Sequence, residues 1–317
     1  MLISDPEELE RLCTEWLELW RRSPAATPFQ SPMWLLPWWR AFGSDELATV
    51  VARNASGALT GVLPLYIARD GDESLGMFLG TGNSDYLDAV GAFDLGALAG
   101  LDCQLWDLQQ LRPASPLLTA PLPSGFADQI LDHDRCPILP IDGAGEELQN
   151  LISTHFRKKI RYYRRTLARI APVTTSSASP ETLDEFLDAL YALHAARWQK
   201  RGLPGVLDDD VVQRFHREAA RGLLATGALR MYATRLGERI VAVFYGFAHG
   251  GTVYYYLSGY DPELERQSIG TLLVAHAIEE AVREGATTFD FLRGAEEYKY
   301  AWGATDRVNS RRHIFRA

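Results

Sequence analysis

Apolar positions return every three or four residues through Glu7–Arg22, a spacing that predicts an amphipathic helix near the start of the chain. The aromatic run from Phe29 to Trp39, with Trp34, Trp38 and Trp39, reads as core. Leu47–Arg53 is predicted as a strand, Asn54-Ala55-Ser56-Gly57 as a turn and Leu59–Ala68 as a second strand, a hairpin in which Pro64 marks an edge or a bulge. The apolar stretch Leu75–Gly80 leads into a polar, glycine-rich turn, Thr81–Asp88, and a helical stretch is expected around Ala97–Leu108.

Proline and short apolar stretches dominate Arg112–Pro140, and the passage between two domains is placed at its end, around Pro140–Gly145. Phe156, Ile160, Tyr163, Leu167 and Ile170 then recur at helical spacing within a stretch holding seven Arg or Lys residues between Arg157 and Arg169, which makes a basic amphipathic helix. Capping signals start two further helices, about Glu181–Arg201 and Asp209–Thr226. Beyond them Leu229–Leu236, Ile240–Ala248 and Thr252–Ser258 read as three antiparallel strands, Ser268–Glu284 as a helix and Thr287–Leu292 as a last strand, in the order β-β-β-α-β. Gly57 followed by Leu59-Thr60-Gly61-Val62-Leu63 echoes Gly237 followed by Ile240-Val241-Ala242-Val243-Phe244, which suggests two related halves.

Length agrees, since 317 residues with 47% hydrophobic and 23% charged residues suit two medium cores, expected over 1–142 and 143–317. The net charge of −9 argues against a general nucleic-acid binder. Cys13, Cys103 and Cys136 are far apart and no histidine pair has ligand spacing, so no metal and no disulfide framework is assigned. No apolar run approaches the roughly 18 residues of a membrane span. The first residues also lack a signal-peptide pattern, so a cytoplasmic enzyme is expected.

A helix N-terminus at the edge of an open sheet offers free N–H groups and the positive end of a dipole to a pyrophosphate. Gln267-Ser268-Ile269-Gly270-Thr271 falls at such a junction: Gly270 would admit a phosphate to the backbone, Ser268 and Thr271 would add hydroxyl donors. The alternative is an ordinary helix start that tolerates Gly270 in its first turn.

Gln267-x-x-Gly270 resembles the acyl-CoA signature of GNAT acetyltransferases, Q/R-x-x-G-x-G/A, with Leu272 in place of the final small residue. The wider runs Tyr254–Asp261, Gly270–Leu273 and Asp290–Gly303 are similar to the CelD/BcsL-type, FemAB-related acetyltransferase-like family with its BioF-like acetyltransferase domain. So are Phe29-Gln30-Ser31-Pro32-x-Trp34, Gly61–Leu65, Gly80–Asp88 and Leu193-His194-x-x-Arg197-Trp198, and the likeness covers most of the chain. It implies an α/β (α+β) fold of two GNAT-like, FemAB-type domains, each a mixed, mostly antiparallel sheet flanked by helices, with the donor site in the second.

The chemistry so implied is direct attack of an amine on the thioester of acetyl-CoA or another acyl-CoA, the oxyanion being held by strand N–H groups. Gln267, Ser268, Ile269, Gly270 and Thr271 are then the donor-binding residues. Glu296 and Glu297 are candidate bases, Tyr298 or Tyr300 a proton donor to sulfur, and Lys299 either faces donor phosphate or developing charge or is a surface lysine. Asp290, on a strand, needs a basic or backbone-amide partner and is both a catalytic candidate and a structural one. Ser84, Asp85, Tyr86, Asp88 and Arg293 are candidates for the acceptor, an amine-bearing small molecule or saccharide of exopolysaccharide or envelope metabolism, with a loop-shaping Asx-turn as the alternative for the first four. The basic helix is read as a solvated face, a clamp on CoA or acceptor phosphates, or an RNA contact. An aminoacyl-tRNA-dependent transferase and a non-catalytic GNAT-pair binding module remain as alternatives.

Overall fold

The computed structural model describes residues 1–142, 151–200, 202 and 205–317. Of the expected interdomain passage, 143–145 lie outside the described residues, as does Arg201 at the end of one expected helix. The chain divides into two compact units, Met1–Cys136 together with Arg307–Ala317, and Pro137–Asp306.

The first unit begins with β1 (Leu2–Ile3), α1 (Pro6–Arg11), α2 (Cys13–Arg21) and α3 (Pro32–Phe42). The single helix expected over Glu7–Arg22 is broken at Leu12, which serves as C-cap of α1 and N-cap of α2. The tryptophan-rich α3 buries Trp34, Trp38 and Trp39, and its Pro37 is carried within the helix. Both expected strands of the first hairpin are interrupted where they change sheets. Glu46–Leu47 (β2) and Thr49–Arg53 (β3) part at Ala48, and Leu59–Leu63 (β4) and Leu65–Asp70 (β5) part at Pro64, which has no N–H to give a ladder. One half of each strand joins the small antiparallel sheet β1-β3-β4-β7, where β7 is Val90–Gly91; the other half joins a larger sheet.

In that larger sheet β2 pairs with β5, β5 with β6 (Glu73–Phe78), and β6 runs parallel to β8 (Leu105–Leu111). The helix expected around Ala97–Leu108 is not formed: Leu95–Gly100 is a 3-10 turn and residues 105–111 are strand. Leu98, Leu101, Leu105 and Leu108 recur every three or four residues, a helical period, but strand pairing on both edges made residues 105–111 extended. β8 also pairs with the C-terminal β15 (Thr305–Arg316), whose neighbour on its other side is β9 (Phe126–Pro140). Arg311 clasps the buried Asp107 of β8, and Arg312 reaches Asp128 of β9 and the Leu117 and Ala120 carbonyls, which explains how so charged a strand is buried.

The second unit holds α4 (Thr154–Ala168), β10 (Val173–Ser177), α5 (Leu183–Gln199), α6 (Asp210–Ala225), β11 (Leu229–Leu236), β12 (Arg239–His249), β13 (Thr252–Tyr260), α7 (Ile269–Arg283), β14 (Thr288–Asp290) and α8 (Glu297–Tyr300). Its strands lie in the order β10-β11-β12-β13-β14, and the last residues of β9 pair with β14. All neighbours are antiparallel except β13 and β14. Ile160 and Leu167 of α4 are buried and Phe156 and Tyr163 pack on the same core, whereas Ile170 is exposed. Each unit is thus a mixed, mostly antiparallel sheet with helices, and each contains one parallel pair reached by a crossover: β6 to β8 without an α-helix, β13 to β14 through α7. Among the described residues no helix is long and apolar enough to cross a membrane.

Candidate functional site

The site is built where β13 and β14 part. The two pair in parallel through Thr252↔Thr288, Val253↔Phe289 and Tyr254↔Asp290, after which β13 continues to Tyr260 while the Phe291 N–H turns away to the Pro137 carbonyl. On its other edge β13 pairs Leu257 with Tyr245 and Tyr255 with Gly246, so Tyr256 is an extra, bulged residue. A bulge bends its strand and strengthens the local twist. Gly246 is required opposite it, because a Cβ there would come within 2.3 Å of the Tyr254 carbonyl oxygen. The result is a split that exposes one edge of β13 beyond Tyr254.

The N-terminus of α7 sits at the end of this strand. A 3-10 turn, Pro262–Gln267, delivers the chain to Ser268, whose left-handed backbone (φ 47°) caps α7 with no side-chain hydrogen bond. The first intrahelical bond runs from the Leu272 N–H to the Ser268 carbonyl, so the N–H groups of Ile269, Gly270 and Thr271 have no acceptor among the described residues. The side-chain oxygen of Gln267 is buried and likewise has no partner among them. Gly270 lies against the Tyr260 ring, where an added Cβ would stand 3.1 Å from a ring carbon. Arg197 covers the same ring, its guanidinium 4.6 Å from the centroid. That approach depends on Gly259, since a Cβ there would press on the Leu190 carbonyl of α5 at 2.8 Å. α4, with its basic face, packs against both α7 and the 3-10 turn, and Arg164 forms a two-pronged ion pair with Glu279.

Three hydroxyls gather in the split: Tyr255 shares a hydrogen bond with Ser258 at 2.6 Å and accepts one from Tyr298. Burial pushes both tyrosines above their ordinary range, so at neutral pH they are donors and not bases. On the far side the backbone is strained, with Leu292 left-handed at φ 58°. Asp290, buried at 1% exposure, accepts the Leu292 N–H at 2.9 Å, the backbone-amide partner that its strand position required. Lys299 is no surface residue: at 3% exposure its ammonium donates to the carbonyls of Leu292 (3.4 Å), Arg293 (2.6 Å) and Gly294 (3.0 Å) and meets Glu296 at 2.9 Å. It ties the turn after β14 into a fixed loop. Glu297 is exposed at the start of α8, and Tyr300 donates to Asp306.

The structure therefore gathers Gln267–Thr271 at one end of the split and Asp290, Arg293, Glu296, Tyr298 and Lys299 around the other. Ile269 can offer only its N–H, since its side chain is core. Ser84, Asp85, Tyr86 and Asp88 lie in the first unit and are buried: Ser84 accepts the Trp34 indole N–H at 2.9 Å, and Tyr86 accepts from Arg307 at 2.6 Å. Of these four, Asp88 lines a cavity. Tyr255, Ser258, Tyr260 and Arg197 were not singled out as site residues; the small Gly259 beside them was the available signal. Among the described residues no group of three or more His, Cys, Asp or Glu could hold a metal.

A bulged strand, a parallel partner that splays from it and an unpaired helix N-terminus at the split define a GNAT-type acyltransferase fold. Residues 154–300 match the family described as Acetyltransferase (GNAT) domain. FemX superposes with a TM-score of 0.65 at 13% identity over 94% of this chain and 95% of that one. The C-terminal DUF2156 domain of an Agrobacterium fabrum protein assigned as a lysylphosphatidylglycerol synthetase gives 0.60 at 12% identity, over 99% and 92%. L-PGS from Bacillus licheniformis gives 0.57 at 13%, over 99% and 92%. No curated protein matches the chain by sequence. Residues 154–300 thus match a GNAT domain, and the chain as a whole shares the two-unit fold of FemX.

Proposed function

We propose that this protein is an N-acyltransferase that takes an acyl-CoA, acetyl-CoA first among them, and acylates an amine of a small molecule or saccharide. The observation that carries the reading is the α7 N-terminus, where the N–H groups of Ile269, Gly270 and Thr271 have no acceptor among the described residues. These groups fit a pyrophosphate, with Ser268 and Thr271 hydroxyls beside them. The exposed edge of β13 would hold the thioester arm and give an N–H to the oxyanion. The amine nitrogen attacks the thioester carbonyl, the C–S bond breaks, and the amine proton passes to a carboxylate, with Glu297 the freer candidate because Glu296 is engaged by Lys299. Tyr298, turning its hydroxyl from Tyr255, donates a hydrogen bond to the departing sulfur. Asp290 and Lys299 hold the loop that carries Arg293 toward the acceptor.

The thermal midpoint of the full chain with acetyl-CoA, longer acyl-CoAs and free CoA, repeated on Gly270→Glu, tests this. A ligand at about 100 times its Kd adds roughly 2.7 kcal/mol to the native state. Stabilisation of wild type but not of the variant supports the donor site, and no shift with any CoA species refutes it. Aminoacyl transfer is the second reading, favoured by the fold shared with a lysylphosphatidylglycerol synthetase domain and by the basic α4 beside the helix entry; binding of aminoacyl-tRNA in place of CoA would establish it.

A further inference from the structure

The first unit contains a cavity of about 640 Å³ whose only charged lining groups are Arg22, Arg112, Arg307 and Asp88. The remaining wall is small and mostly apolar, with Ala25 and Ala114 among it. Its volume is within the range of small-molecule pockets, roughly 300–1,000 Å³.

Each arginine donates to a neutral oxygen. Arg22 donates to the Leu59 carbonyl at 2.9 Å, Arg112 to the Ala25 carbonyl, and Arg307 to the Tyr86 hydroxyl at 2.6 Å. Arg112 and Arg307 rest against one ring, 5.6 and 5.0 Å from the Tyr86 centroid, so two like charges are brought close by a single buried aromatic. Neither Arg22 nor Arg112 has a carboxylate contact among the described residues. Among the described residues Asp88 is the one acid on this wall: burial pushes it up to about 6, Ser115, Arg112 and the Ala89 N–H pull it back, and its single charge leaves the three guanidiniums in excess. In a chain of net charge −9, this wall is a local concentration of positive charge.

We propose that this pocket binds a small organic anion, a carboxylate or phosphate ester on an apolar body, with the guanidiniums of Arg22, Arg112 and Arg307 taking the anionic head and the alanine and proline walls taking the body. Guanidinium forks suit either oxyanion through paired N–H···O bonds. The inference stands apart from the acyl-donor reading, because every residue it uses belongs to the other unit.

Isothermal titration of the full chain with benzoate, phenyl phosphate, inorganic phosphate and the neutral benzyl alcohol tests it. Benzoate or phenyl phosphate is expected to bind, more tightly than inorganic phosphate and with benzyl alcohol far weaker. Arg112→Gln and Arg22→Gln should each weaken binding by roughly tenfold or more, as loss of a charged hydrogen bond does. Ala114→Trp, which fills the cavity and leaves every arginine in place, should abolish it, and this variant decides the matter if an arginine variant fails to fold. Phenyl phosphate preferred to benzoate marks a phosphate ester as the natural class; the reverse marks a carboxylate. No binding of either organic anion at millimolar concentration, equal binding of benzyl alcohol, or full binding by Ala114→Trp overturns the proposal.

Discussion

Replacing Asp88 by asparagine should make the protein more stable at neutral pH, and the amount can be worked from the structure. Burial in the first unit moves the carboxyl from an ordinary 3.8 to about 6, against the opposing pull of Ser115 and Arg112. The folded state therefore keeps a proton that the unfolded chain releases. Stability from this group is full below pH 4, declines as the pH rises from about 4 to 6, and is constant beyond. At about 1.4 kcal/mol per pH unit, ionised Asp88 costs on the order of 3 kcal/mol above pH 6. The carboxamide of the variant cannot titrate. Urea unfolding of wild type and Asp88→Asn at pH 4 and at pH 7 gives two stability differences, and the change between them removes whatever packing or hydrogen bonding the substitution alters at both pH values. That change should favour the variant at pH 7 by roughly 3 kcal/mol, within the factor of two or so that such values carry. A gap that does not change with pH, or that moves toward wild type as pH rises, would refute the reasoning and show Asp88 to be held ionised by Arg112.

His216 is wholly enclosed in the second unit and burial moves it down to about 3, so its stabilising neutral form is fully present above pH 6.5 and lost as the pH falls from there to 3; His216→Phe should unfold at lower pH than wild type in an acid titration followed by circular dichroism. Lys299→Met leaves three carbonyls and Glu296 without their common donor, and amide exchange over 292–296 should quicken sharply while that of β11 and β12 stays unchanged; equal exchange in the loop would show the lysine to be dispensable there. In an acyltransfer assay Tyr298→Phe should lower kcat by roughly tenfold or more with KM for acyl-CoA little altered, since the hydroxyl acts on charge that develops only during reaction. A matching rise in KM instead would place Tyr298 in ground-state binding.

The stretch from Leu229 to Leu292 was legible because alternation and turn glycines agree there, and its strands and helix match to within a few residues. The C-terminal β15 escaped notice for a physical reason: its inward positions include Asn309 and Arg312, buried polar groups that donate to Gln110, Asp128 and backbone carbonyls far away in sequence. A pattern of apolar alternation cannot reveal a strand whose core side is polar. The same limit affects the site. Gln267 and Gly270 stand together in sequence and could be read as a unit, whereas Arg197 over Tyr260, or Tyr298 on Tyr255, becomes visible only when α5, β13 and α8 are brought together. Lys299 was recognisable through its resemblance, but its role as the tie of the 292–294 carbonyls depends on a left-handed Leu292 that no propensity announces.

The two crossovers differ in a way that gives the halves different electrostatics. Between β6 and β8 the chain passes through β7 and a six-residue 3-10 turn, and residues 79–104 contain no α-helix; between β13 and β14 it passes through the fifteen-residue α7. Only a helix sums enough aligned peptide dipoles to present about half a positive charge at its start. The crossover of the first half therefore lacks that dipole, and no point substitution would create it. Any anion bound by the first half must be met by side-chain charge, which single substitutions can move, whereas the field at the start of α7 is fixed by the backbone. Substitutions in the first half can therefore alter its charge pattern without touching the helix start of the second.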